Sequence, residues 1–172
     1  MPEITEQELE DYLEEKIVDV LKLERKKCNI HRQFSLHPYG IADLVVTQKG
    51  DEPGEVDVYI IDLKKGKLDE NALIQLIRYV HAFEESVEEN ESENLKLTLF
   101  PVLVGSALNL SSGWVYLVEY VNRLQIFTYK LNLEKGIYFN EKNTDGWTSS
   151  EPKERLWEKL DDFLSEYKSL PF

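Results

Sequence analysis

The chain has 172 residues, 42% of them hydrophobic and 11% aromatic: enough apolar material for one packed domain, and too much for a disordered chain. Its formal charge of -13 argues against an unfocused affinity for nucleic acid, and its single cysteine, Cys28, excludes an internal disulfide. The acidic N-terminus "MPEITEQELEDYLEE" lacks the basic and apolar regions of a signal peptide, and no run approaches membrane-spanning length, so a cytoplasmic protein with no membrane association is expected.

The first predicted element is a helix: Thr5 and Glu8 make a capping box, Ile4 and Leu9 a staple, and Leu9, Leu13, Ile17, Val20 and Leu21 an apolar stripe. A basic connection over 16–37 follows, with Lys16, Lys22, Arg25, Lys26, Lys27 and Arg32 against Asp19 and Glu24. "GIADLVV" (40–46) reads as a strand, "KGDEPGE" (49–55) as a turn, and "VDVYIIDL" (56–63) as the strand paired with it. Asp69 caps a second helix with Leu73, Leu76, Ile77, Val80 and Phe83 on one face, and the acidic stretch 84–94 is a solvated loop or frayed helix end. "LKLTLFPVLVG" (95–105) is a strand in which Pro101 calls for a bulge or a place near an edge.

Beyond it, 112–122 reads as a helix followed by strands near 124–131 and 137–140, with a hairpin turning at Asn122 and Arg123 as the alternative. "EPKERLWEKLDDFLSEY" (151–167) is a terminal amphipathic helix with Pro152 in its first turn. The order α-β-β-α-β gives an α/β domain over 1–172, a mixed central sheet flanked by helices, with a core at about 5–105 and a C-terminal extension at about 106–172.

The apolar strand ends in Asp62 and Lys64, two positions apart and so on one face, where an unpaired buried charge costs several kcal/mol. A turn centred near Glu52 sets Asp43 opposite Ile61 and beside Asp62. Two carboxylates and an ammonium at one end of a sheet form an oxygen site suited to Mg²⁺ or Mn²⁺, with Lys64 placed to orient or deprotonate a water or to stabilise a phosphorane-like transition state. Glu10 or Glu14 on the first helix can add a third oxygen, and Gln75 and Tyr79 lie one turn apart on the second helix. His31, His37 and His81 lack zinc-ligand spacing, Cys28 reads as an incidental thiol, and neither a phosphate-binding glycine loop nor a serine nucleophile elbow is present.

The runs "RQFSLHPYGIADLVV", "VYIIDLKKG" and "ALIQLIRYV" together resemble the core of the PD-(D/E)XK nuclease superfamily, most closely the nuclease domain of NucS-like enzymes. The resemblance covers about Thr5 to Gly105 and implies a restriction-endonuclease-like core, a Mg²⁺-dependent endonuclease activity on nucleic acid, DNA in the first instance, and a site of Glu10, Asp43, Asp62, Lys64, Gln75 and Tyr79. Glu10, Asp43 and Asp62 are its implied metal ligands. Arg32 and Gln33 match the polar pair preceding the aspartate strand, and Asp62 stands where NucS-like proteins usually carry glutamate. Arg25, Lys26, Lys27, Arg32, Lys65 and Lys67 are the expected nucleic-acid contacts. The acidic surfaces leave room for a homodimer or a protein partner, and so for a second reading: a nuclease-fold module that binds a protein and no longer cleaves.

Overall fold

The capping box expected at the N-terminus is formed: the Thr5 hydroxyl accepts the Glu8 N–H at 3.1 Å, and the Glu8 carboxylate accepts the Thr5 N–H at 2.8 Å. It starts α1 (Glu6–Val20), which buries Leu9, Leu13 and Ile17. The computed structural model describes residues 3–89, 95–109, 114–143 and 165. The terminal helix expected over 151–167 therefore lies outside the described residues, Ser165 excepted, as do 90–94 of the acidic stretch and 112–113 of the helix expected at 112–122.

Among the described residues six strands form one sheet in sequence order: β1 (Cys28–Ser35), β2 (Ile41–Lys49), β3 (Glu55–Leu63), β4 (Lys96–Gly105), β5 (Gln125–Asn132) and β6 (Gly136–Lys142). The pairs β1/β2, β2/β3 and β5/β6 are antiparallel, while β3/β4 and β4/β5 are parallel, so the sheet is mixed. Each parallel step is bridged by helix, as a crossover requires: α2 (Glu70–Glu89) between β3 and β4, and α3 (Trp114–Leu117), running into a 3-10 turn at Val118–Tyr120, between β4 and β5. Successive right-handed crossovers in one direction leave both helices on the same face, and α1 covers the other. The core is accordingly split: Leu73, Leu76, Tyr79, Trp114 and Ile126 on the α2 side, and Leu9, Leu13, Leu44, Ile61 and Phe127 on the α1 side.

The expected class and element order hold, with two differences of detail. The basic connection contains a strand, β1, whose alternate residues are partly buried and exposed; its polar content belongs to an edge strand with one solvated face. Pro101 takes the expected place near an edge: it pairs with Ile60 on one side, and β5 pairs only with Val102–Gly105, so the β5 side of β4 is open at the proline. On α2, Ile77 is 39% exposed, and Ala72, Tyr79 and Ala82 take up the buried face beside Leu73 and Leu76.

One distortion positions everything that follows. Ala42 packs in the α2-side core and Leu44 in the α1-side core, although residues two apart on a strand normally share a face. Across from them, Arg32 reaches α1 while Phe34 packs on the α2 side. The strands turn over between, at Gln33 and Asp43, a pair missing from the otherwise continuous β1/β2 ladder, and Gln33 carries the left-handed φ of 49° that makes the reversal.

The two-sided core predicts that Leu76→Ala, which empties a fully buried position, lowers stability by about 2 to 5 kcal/mol in denaturant melts, whereas Gln75→Ala, one residue away on the half-buried flank, shifts it by under about 1 kcal/mol.

Candidate active site

Leu44 pairs with Ile61, which sets Asp43 directly against Asp62. The hairpin is centred between Glu52 and Pro53, half a residue beyond the expected turn, and that moves Asp43 from opposite Ile61 to opposite Asp62. The Asp43 Oδ2 accepts the Leu63 N–H at 2.7 Å. Asp62 is 2% exposed; its Oδ2 has no hydrogen-bond donor and lies 3.2 Å from the Lys64 ammonium.

Burial pushes the Asp62 carboxyl up to about 7; Lys64 opposes this, and the negative charge of Asp43 adds to it. Asp43 is raised as well, by burial first and by Glu10, against the lowering effect of the Leu63 N–H and Lys64. The two carboxyls are adjacent and like-charged, and Asp62, the more deeply buried of them, is the one that holds a proton toward neutral pH. Lys64 is lowered by its own burial, but Asp62 and Asp43 outweigh this and hold the ammonium above its ordinary range. It remains a cation.

From Lys64 a polar chain runs onto α2. Its Nζ donates to the Gln75 Oε1 at 3.0 Å, and the Gln75 Nε2 donates to the Tyr79 hydroxyl. The amide is thereby fixed at both ends. Burial, then Asp62, raises the Tyr79 phenol, which stays neutral. The Tyr79 ring also supports the β1–β2 loop, where a Cβ on Gly40 would come within 3.0 Å of it.

Glu10 lies on the α1 side of the sheet and is 6% exposed. Its Oε1 accepts from Arg32 Nε and Gln33 Nε2, both at 2.7 Å, while Arg32 Nη1 also meets Asp11 at 2.5 Å and Glu14 at 3.0 Å. The reversal at Gln33 lets consecutive residues 32 and 33 both reach Glu10. Glu10 is near enough to raise Asp43, but among the described residues no three acidic, histidine or cysteine side chains converge on one point as a closed metal site does. Of the candidates, then, Asp43, Asp62, Lys64, Gln75 and Tyr79 come together, and Glu10 stands beside them in the grip of Arg32.

The basic candidates separate. Lys65 and Lys67 are exposed beside the site, and Arg32 is engaged with three carboxylates. Arg25, Lys26 and Lys27 form a 3-10 turn before Cys28, which pairs with Gln48 at the far end of the sheet; Arg25 meets Asp19, and Lys27 meets Glu24 and Asp51. The tie between Glu10, Arg32 and Gln33, and the bond from the Tyr129 hydroxyl to the Lys65 carbonyl, were not readable from the sequence, where the only sign was Arg32 and Gln33 standing together. A groove of about 1020 Å³ lined by Ile77, Leu97, Leu99 and Tyr120 lies toward the start of β4, away from the acids, which sit instead in the open end of the sheet.

No protein-family model and no curated protein matches the sequence. Two solved structures are similar. A repair endonuclease from Pyrococcus abyssi aligns over 73% of this chain and 47% of its own, at 23% identity and a TM-score of 0.47. A structure described as an EndoMS–dsDNA2 complex aligns over 67% and 41%, at 20% identity and a TM-score of 0.46. The chain thus spans under half the length of either.

Two expectations follow from the geometry. Arg32→Ala leaves the Glu10 charge buried without its partner and should cost about 3 kcal/mol in denaturant melts, with part recovered when Glu10→Gln is added. Because the folded protein holds a proton on Asp62 that the unfolded chain releases near pH 4, stability in EDTA should be greatest at the acid end of this window and fall as pH rises toward about 7. Asp62→Asn should flatten that slope in pH-dependent melts and raise stability at neutral pH.

Proposed function

We propose that this chain is a divalent-metal-dependent phosphodiesterase that hydrolyses DNA, with Asp43 and Asp62 holding the cation and Lys64 acting on the phosphate. The observation that carries the reading is the Asp62 Oδ2: a carboxylate oxygen buried without a hydrogen-bond donor, facing a second carboxylate, is costly for the apoprotein to keep. A hard cation between the two relieves both burial and repulsion, and an all-oxygen donor pair suits Mg²⁺ or Mn²⁺. When bound, such an ion supplies Lewis-acid stabilisation of a phosphoryl oxygen and acidifies a water.

The chain's own residues do the rest. The backbone N–H of Leu63 holds Asp43 in place, so the acid pair is set before substrate arrives. Lys64, 34% exposed and kept protonated by the acids, presents a fixed positive charge at the mouth of the site. Its part is therefore electrostatic: it stabilises negative charge that builds on the phosphoryl oxygens, while Gln75 and Tyr79 keep it from swinging into solvent. DNA as substrate rests on the motif resemblance. The tie of Glu10 to Arg32 and Gln33 favours a second reading, a non-cleaving module of the same fold that binds a protein through its acidic surfaces.

Calorimetry with Mn²⁺, run beside a plasmid and oligonucleotide cleavage assay, separates the two. Wild type should gain melting temperature with Mn²⁺ and cleave; Asp43→Asn and Asp62→Asn should lose both, and Lys64→Ala should keep the thermal gain and lose cleavage by at least about 100-fold. A wild type that shows neither effect overturns the enzyme in favour of the module.

A further inference from the structure

The tip of the β5–β6 hairpin shows a leucine to solvent on a turn that is built to hold still. Leu133 is 87% exposed. Below it the Asn132 Oδ1 accepts the N–H groups of Glu134 at 2.9 Å and Lys135 at 3.2 Å, closing the loop. Gly136 closes it on the other side with a φ of 86°, and a Cβ there would lie 3.0 Å from the Tyr12 hydroxyl of α1, so the hairpin is seated on that helix. The leucine therefore contributes little to the core, and the turn that carries it is pre-set.

Its place relative to the acids follows from the ladders. Asp62 is level with Leu103, and Leu103 with Ile126, in parallel strands. Asn132 is six residues further along, about 20 Å of strand path, so the tip lies past the level of the acids, two strands over from Asp62, at the end of the sheet where the site opens, and leans on α1. The Tyr129 hydroxyl, bonded to the Lys65 carbonyl, ties this strand to the lysine loop after β3. Segments 64–68 and 130–136 together carry Lys64, Lys65, Lys67, Lys130 and Lys135 against one carboxylate, Glu134, in a chain of net charge -13. Lys130 is paired across the ladder with Tyr138, and both are exposed. On the other flank the β1–β2 loop, Leu36–Gly40, rises past Asp43.

We propose that the β5–β6 hairpin is one wall of a cleft for double-stranded nucleic acid, in which Lys130 and Lys135 hold phosphates and Leu133 rests in the groove between the strands. This deepens the phosphodiesterase reading, since the cleft's floor is the site described above. A phosphate backbone meets its cations in this hairpin and in the lysine loop, and the apolar tip between two lysines suits a groove, whose sugar edges are apolar and whose rims are charged.

The test is binding of a short fluorescein-labelled DNA duplex by anisotropy in EDTA, across a salt series, so that cleavage plays no part. Lys130→Gln/Lys135→Gln should reduce the log-log salt slope by about two units, and Leu133→Ser should weaken binding several-fold at every salt concentration while keeping the slope. All three positions are exposed, so unchanged melting temperatures should accompany both effects. If wild type binds the duplex and neither variant differs from it, the hairpin proposal falls and the phosphodiesterase reading stands. If a single strand binds more tightly than the duplex and the variants lose that binding, the duplex is the wrong occupant. If wild type binds neither, the nucleic-acid reading itself falls, and the hairpin with it.

Discussion

The cost of burying the Asp62 carboxylate organises this structure. A charge at 2% exposure cannot be left alone, and Lys64 answers it as counter-ion, steadied by Gln75 and Tyr79, while the negative charge of Asp43 across the strands adds to the cost. None of these contacts cancels the cost of burial, as the elevated carboxyl shows.

The support comes from both layers. Asp62, Lys64, Gln75 and Tyr79 are held on the α2 side, while Glu10, with Arg32 and Gln33, belongs to the α1 side. Left flat, the sheet would separate them. The reversal of β1 and β2 at Gln33 and Asp43 opens the sheet there, and so Glu10 can be felt electrostatically by Asp43 across it. Backbone strain at Gln33 and the missing ladder pair fall at the place where the two layers must communicate.

The charge distribution follows the same division. Acids dominate the chain, and the basic turn Arg25–Lys27 is tied to acids at the end of the sheet remote from Asp62. At the other end Lys65 and Lys67 are exposed, and Lys130 and Lys135 rise beside them. The two basic groups therefore differ in kind: Arg25 and Lys27 are answered by neighbouring acids, whereas Lys65, Lys67, Lys130 and Lys135 are exposed.

Much of this was legible in the residues. The capping box at Thr5, the Asp69 cap, the buried run ending in Asp62 and Lys64, and the one-turn spacing of Gln75 and Tyr79 are local patterns, and local hydrogen bonding and periodicity act on neighbours in sequence. What the sequence could not show depends on partners far away along the chain. β1 hid as a basic connection because an edge strand with a solvated face has no apolar run, and the hairpin register slipped by one residue because turn chemistry bounds a loop without fixing its centre. Arg32 read as a phosphate contact, since nothing near it in sequence reveals that α1 would bring three carboxylates to it. By itself the sequence determined which groups are present and which of them share a strand or a helix face, because those follow from backbone geometry. Only the tertiary structure decided which charges were already answered, because a charge is neutralised by whatever the fold packs beside it.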